Sequence, residues 1–263
     1  MSDWLSRARA AAELSPDRPR QRLRIADGDT LCDVGSIEPG IAVRMSAAGL
    51  PLSSGGDGWR IEAPWDESLA TIARWLDGER PVSRWRGELL AVVNAAGRPL
   101  ASVERSAVRA LGVTTYAVHL IGRAADARVW VQLRAFDKAT DPGQWDTLMG
   151  GQVTAGEATE DTLRRETMEE AGLATVDLLS VERRADVIVR RPVDEGYLVE
   201  HIAVFRAVLP AGRAPENRDG EVERFECLHE SALLERLRAG AFTLEATLIL
   251  GAELEGRGPR IDG

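Results

Sequence analysis

The sequence predicts an α/β protein in two parts: a small α/β domain over residues 1–112, then a larger unit over 113–263 whose mixed sheet carries packed helices. Three observations lead there. β-rich runs at Thr114 to Ile121, Val129 to Ala135, Ala185 to Val189 and Leu198 to Val208 alternate with helical periods at Thr159 to Ala171 and Ser231 to Ala239, and such interleaving builds a sheet covered by helices. Before residue 112 the apolar segments are shorter, divided by Asp27-Gly28-Asp29, Glu38-Pro39-Gly40 and Ser53-Ser54-Gly55-Gly56-Asp57-Gly58, which are turn sequences. A length of 263 residues corresponds to about two ordinary domains.

Taken in order, residues 1–22 are polar and Arg-rich and are broken by Ser15-Pro16-Asp17-Arg18-Pro19, so a capping helix followed by irregular chain is expected. Leu69, Ile72, Ala73 and Leu76 repeat at a helical period, whereas Glu88 to Val93 reads as a buried strand ending at Asn94-Ala95-Ala96-Gly97. Val103 to Leu111 reads as a helix stopped by Gly112. Lys and Arg total 33 against 42 Asp and Glu, a net charge of −9, which opposes binding to nucleic acid or anionic lipid. Hydrophobic residues at 44% and charged residues at 29% are ordinary for a globular protein. No apolar run reaches the roughly 18 residues of a membrane span, and no hydrophobic leader is apparent, so the expected compartment is the cytoplasm. Cys32 and Cys227 match no metal spacing and read as two buried thiols; His119, His201 and His229 show no paired spacing and read as structural.

The chemistry concentrates between Gly151 and Leu173. At about 100° per residue, Glu170 lies about 40° to one side of Glu166 and Glu169 about 60° to the other, so three carboxylates share one helical face. Like charges this close need a cation among them. Mg²⁺ fits, because it takes hard oxygen ligands and is completed by substrate phosphates. A freed carbonyl at Gly150 or Gly151 can add another oxygen, and Arg165 can pair with Glu157 to hold the loop on the helix.

Gly151, Glu157, Arg165-Glu166, Glu169-Glu170 and Gly172, with the spacings that separate them, resemble the signature of the Nudix hydrolases at every charged and glycine position. Seven such matches arise by chance at roughly 10⁻⁶ over a chain of this length. The departure is Thr167, where the family usually carries an aliphatic residue; its hydroxyl can be satisfied by a helix carbonyl. The resemblance implies a Nudix α/β/α sandwich that uses Mg²⁺ or Mn²⁺ to cleave a diphosphate linked to an organic group. Glu166, Glu169 and Glu170 match the family's metal ligands or activating base; beside them, the carbonyl at Gly151 is the candidate further ligand. Arg134 and Lys138, the chain's single lysine, match the region preceding the signature and are candidate phosphate contacts. Downstream, Glu221 or Glu223 matches a further metal-reaching acid. Strand alternation points the two the same way and leaves them unseparated.

A narrower similarity covers most of the chain. Trp85-Arg86-Gly87-Glu88, Val103-Glu104-Arg105, Leu111-Gly112, Ala117 to Leu120, Asn217 to Val222 and Phe242 to Ala246 resemble Nudix proteins related to thiamin pyrophosphokinase, which carry an extra N-terminal domain. That resemblance implies thiamin diphosphate or its oxidised analogues as substrate. Five of seven tryptophans, Trp4, Trp59, Trp65, Trp75 and Trp85, precede residue 112, and a cationic thiazolium favours an aromatic face. The competing expectations are hydrolysis of ADP-ribose or another nucleoside diphosphate derivative, and a binding module that keeps the fold without turnover. Retention of all three glutamates opposes the latter.

Overall fold

The computed structural model describes residues 3–79 and 85–256. After helix α1 (Asp3–Ala11) come β1 (Gln21–Asp27), β2 (Thr30–Ile37), α2 (Pro39–Ala47), β3 (Leu52–Gly55), β4 (Gly58–Ile61), α3 (Trp65–Glu79), β5 (Leu89–Val93) and β6 (Pro99–Glu104). The second half holds β7 (Thr114–Arg123), β8 (Val129–Arg134), β9 (Trp145–Asp146), β10 (Met149–Gln152), α4 (Thr159–Ala171), β11 (Leu179–Val193), β12 (Gly196–Val208), β13 (Val222–Leu228), α5 (Glu230–Arg238) and α6 (Leu244–Leu254).

Residues 21–113 build one core beneath a four-stranded sheet of order β2-β1-β4-β3 and the β5–β6 hairpin. A mixed sheet of order β11-β12-β7-β8-β13, with β10 on β7 and β9 on β8, organises the second half. Its two faces follow the period of two along β7. Ala117 and Ile121 face a core shared with α1, α5 and α6, whereas Val118 and Leu120 face a second core with Leu163 and Ala171 of α4. The sheet is therefore sandwiched between helical layers. Among the described residues no helix is long and apolar enough to cross a membrane.

Helix α4 begins with Glu160 and Asp161 in its first turn, which suits the positive end of the helix dipole. It ends at Gly172, whose φ of 62° lets the amides of Gly172 and Leu173 close on the carbonyls of Met168 and Thr167. Thr167 is fully buried and donates its hydroxyl to the Leu163 carbonyl at 2.6 Å, so the polar departure is satisfied within the helix.

Several expectations change. The helix expected at Val103 to Leu111 is instead the end of β6 and a 3₁₀ turn at Arg105–Ala107. Pairing of β6 with β5 outweighs a weak helical period. Helix α1 buries Leu5 and Ala8, and the adjoining turn buries Ala12, in the core of the second half, against α6. Helix α6 has no counterpart in the sequence reading: Ala246 to Ala252 is buried all round, so it shows no amphipathic period. Cys32 and Cys227 are free and only half-buried.

Candidate active site

Two elements bring the acidic groups together. Strand β10 pairs with β7, Gly151 opposite Val118 and Gly150 opposite His119, and α4 packs across β10 and β7. The two glycines are cradles: a Cβ on Gly151 would collide with the Glu166 side chain, and one on Gly150 with the His119 ring. Val153 donates its amide to the Tyr116 carbonyl. Antiparallel alternation then turns the amide and carbonyl of Gly151 toward β7 and those of Gly150 toward the helix. Accordingly the Gly150 amide donates to Glu170 Oε2 at 3.1 Å. Of the two carbonyls considered from sequence, the one at Gly150 faces the carboxylates, and Gly151 serves by having no side chain.

Glu170 is 2% exposed and also accepts from Gln132 Nε2 at 3.1 Å. Burial pushes its pKa up to about 8, against the opposing charge of Lys138 and these hydrogen bonds. Glu166 is raised to about 6, again by burial, with Arg165 opposing. Arg165 binds Glu157 through Nε at 2.9 Å and Nη2 at 2.8 Å, and reaches Glu166 at 2.7 Å and Glu169 at 3.1 Å through Nη1. That pairing lowers Glu157 to about 2 and ties the glycine loop to α4.

Glu221 and Glu223 separate. Val222 pairs with Arg134 and Arg224 with Leu133, so Glu223 is the extra residue of a β-bulge and alternation fails across it. Glu221 enters the cleft and forms an ion pair with Lys138; burial pushes its pKa up, but Lys138 with Arg105 and Arg134 outweighs this and the net shift is downward. Arg134 donates to the Thr140 carbonyl at 2.9 Å and to Asp146 at 3.4 Å. Both candidate phosphate contacts thus line the cleft while engaged with internal partners.

The cleft has a volume of about 630 Å³. Sequence reasoning missed much of its wall. His119, read as structural, lines it with Nδ1 at 2.9 Å from Thr147 Oγ1. Glu200 accepts from Gln152 and Thr115, and burial, reinforced by Glu200, raises Glu245 to about 7. One signal for Glu200 was available: it shares a strand face with the buried Leu198, Ile202 and Val204. Arg86, Glu88, Arg105 and Arg109 reach the cleft from the first half, for which local sequence carried no signal. None of the tryptophans lines it. Trp59, Trp65 and Trp75 pack with the core of residues 21–113, Trp4 with the core that α1 shares with α5 and α6, and Trp85 lies outside the cleft wall, so they present no aromatic face to a ligand there.

Whether this set suits a divalent cation follows from its chemistry. Among the described residues no three carboxylate, imidazole or thiol side chains converge closely enough to ligate one ion as they stand, because Arg165 bridges Glu166 and Glu169 while Lys138 holds Glu221. These two cations neutralise the charge that an ion would neutralise, and both sit on side chains that can rotate away. The donors are all oxygens, the Gly151 cradle admits Glu166 without obstruction, and burial of Glu170 keeps it protonated unless positive charge arrives. The residues fit a hard divalent cation.

The NUDIX domain model matches residues 113–247. Nudix hydrolase 24, chloroplastic, of Arabidopsis thaliana is 27% identical over 180 residues, 66% of this chain and 49% of that protein. An uncharacterized Nudix hydrolase of Pseudomonas aeruginosa is 37% identical over 86 residues, 33% of this chain and 51% of that protein. The chain therefore spans about half the length of these curated relatives. A Deinococcus radiodurans protein of known crystal structure matches with a TM-score of 0.51 and 25% identity, over 66% of this chain and 100% of its own. With the family model covering half the chain and a likeness in fold to a solved structure, the chain belongs to the NUDIX domain family.

Proposed function

We propose that the protein is a divalent-metal-dependent hydrolase of a diphosphate linked to an organic group. The observation that carries this reading is the convergence of Glu166, Glu169, Glu170 and Glu221 on one polar cleft, with the Gly150 carbonyl face beside them. Those five residues would hold Mg²⁺ or Mn²⁺, which supplies phosphate charge neutralisation and an acidified water. Arg165 holds the glycine loop against α4, and a bound cation would supply the charge that it now gives to Glu166 and Glu169. Positive charge at the site would likewise favour the ionised form of Glu170. Lys138 and Arg134 line the same cleft and are the candidates to take phosphate oxygens.

For the organic group, thiamin diphosphate and its oxidised analogues are our first candidates. Their support is the resemblance of the flanking segments together with the acidic Glu200–Glu245 wall, which suits a cationic ring. The division of labour is likewise a proposal. Residues 21–112 form the selecting unit, and 113–256 together with α1 form the catalytic one. The test is phosphate release by purified protein, with Mg²⁺ or with EDTA, across thiamin diphosphate, its oxidised analogues and ADP-ribose. Metal-dependent release from the thiamin compounds supports both parts. Release from ADP-ribose alone leaves the reaction class and removes the substrate, and no release from any diphosphate removes the class.

A further inference from the structure

We infer that the first half of the chain supplies a diphosphate-binding arginine to the cleft, Arg105, and that the buried carboxylate of Glu104 positions it. The inference rests on the hydrolase reading and adds a residue outside the family signature to that site.

The Glu104 carboxylate is 2% exposed. It accepts the amides of Arg86 at 2.6 Å and Gly87 at 3.1 Å through one oxygen, and the amide and hydroxyl of Ser106 at 2.7 and 3.2 Å through the other. A single buried anion therefore fastens the chain on both sides of Arg105 to the segment at 86–88. A carboxylate with both oxygens satisfied by neutral donors is rigid. The Arg105 amide adds a bond to the Glu88 carbonyl at 2.9 Å. One step further along β5, the Leu89 carbonyl accepts from Ala155 at 2.8 Å, so this clamp is hydrogen-bonded to the glycine loop that precedes α4. The hairpin is built onto the catalytic loop rather than merely adjacent to it.

What the clamp presents is a guanidinium. Arg105 lines the cleft together with Glu221 and Lys138, close enough that its charge acts on Glu221. Its partner is Glu88, with Nη1 at 2.7 Å from Oε2. That pair is partly exposed, 40% and 27% for the two side chains, so it is weakly held and screened by solvent. An arginine in such a pair can exchange a carboxylate for a phosphate, which offers the same two-oxygen face with more charge. Lining the same cleft as the metal-holding carboxylates and near Glu221, Arg105 is placed to take the non-bridging oxygens of the diphosphate.

The test uses the full chain, saturating Mg²⁺ and methylenediphosphonate, a diphosphate that cannot be hydrolysed, with binding read by calorimetry. Arg105→Ala should weaken binding by at least about tenfold, and Arg105→Lys should recover part of it. Glu88→Gln should tighten binding about twofold or more, because it removes the carboxylate that competes for the guanidinium. A merely structural Arg105–Glu88 pair predicts the opposite, with both variants weakened or neither. Glu104→Gln should weaken binding at least about threefold, and Glu104→Gln combined with Arg105→Ala should be no weaker than Arg105→Ala alone, since the first acts through the second. Failure of the wild type to bind the probe, an Arg105→Ala affinity within about twofold of wild type, or weakening by Glu88→Gln each overturns the inference. Turnover of Glu169→Gln, measured in parallel, tests the hydrolase reading separately: unchanged turnover removes that reading, whereas its loss beside an unaffected Arg105→Ala removes only the role of Arg105.

Discussion

Replacing Glu170 by glutamine should stabilise the metal-free protein at alkaline pH while abolishing its activity. Burial is the largest cause raising the Glu170 pKa from 4.5 to about 8, with Glu166 adding to it and Lys138, Gly150 and Gln132 opposing. A pKa raised on folding contributes stability that is complete below the unfolded value of 4.5 and is lost as pH rises through 8. At about 1.36 kcal/mol per unit, that interval corresponds to about 4 to 5 kcal/mol. The glutamine keeps an acceptor for the Gly150 amide, and its new N–H can serve Gln132 Oε1, which is buried without a partner. In EDTA at pH 8 we therefore expect the variant to exceed wild type by about 2 to 4 kcal/mol, or about 5 to 15 °C in Tm. At pH 5 the gap should fall below about 1 kcal/mol, because that pH lies only just above the unfolded value of 4.5 and little of the interval has been crossed. Saturating Mg²⁺ should reverse the order at pH 8, since binding to the folded state stabilises only the protein that keeps the ligand. Urea unfolding at both pH values, with EDTA and with Mg²⁺, measures all four quantities. A variant no more stable than wild type at pH 8 in EDTA, or a gap that persists unchanged at pH 5, would refute the reasoning.

Four other outcomes follow. Glu169→Gln should fold normally and lower turnover by at least about a hundredfold, checked by steady-state kinetics with Mg²⁺ in excess. Arg165→Ala should release Glu157, whose pKa now lies at about 2; because a depressed carboxyl contributes stability above its unfolded pKa and loses it as pH falls, the variant should unfold at a higher pH in an acid titration followed by circular dichroism. Gly151→Ala should displace the Glu166 side chain and weaken Mg²⁺ binding by at least about tenfold in calorimetry, with a smaller loss of Tm. A chain beginning at Val113 should aggregate or melt well below the full protein, because it exposes the core that Leu5 and Ala8 of α1 cover. Restoring α1 by a linker should recover solubility while leaving binding of methylenediphosphonate impaired, as read by light scattering and calorimetry.

The sequence by itself determined the parts whose geometry is local. A helix turns by about 100° per residue wherever it forms, so the clustering of Glu166, Glu169 and Glu170, the return of Arg165 to Glu157 and the internal satisfaction of Thr167 were all readable from spacing. The same holds for α4, whose bounds of Thr159 and Ala171 are those of the acidic period. What only the tertiary structure decided depends on which strands pair and in what register. The bulge at Glu223 in the pairing of β13 with β8 breaks the alternation between the two acids, and Glu221 is the one that lines the cleft. The register of β10 on β7 turns the Gly150 carbonyl, rather than that of Gly151, toward the helix. Arg86 and Arg105 arrive because a buried glutamate and a hairpin join the first half to the glycine loop, and Arg109 because its carbonyl accepts from Tyr197 and its guanidinium pairs with Glu195. Helix α6 was hidden for a related reason: an element buried on all sides has no periodic contrast between faces, and only the layers packed around it reveal where it lies.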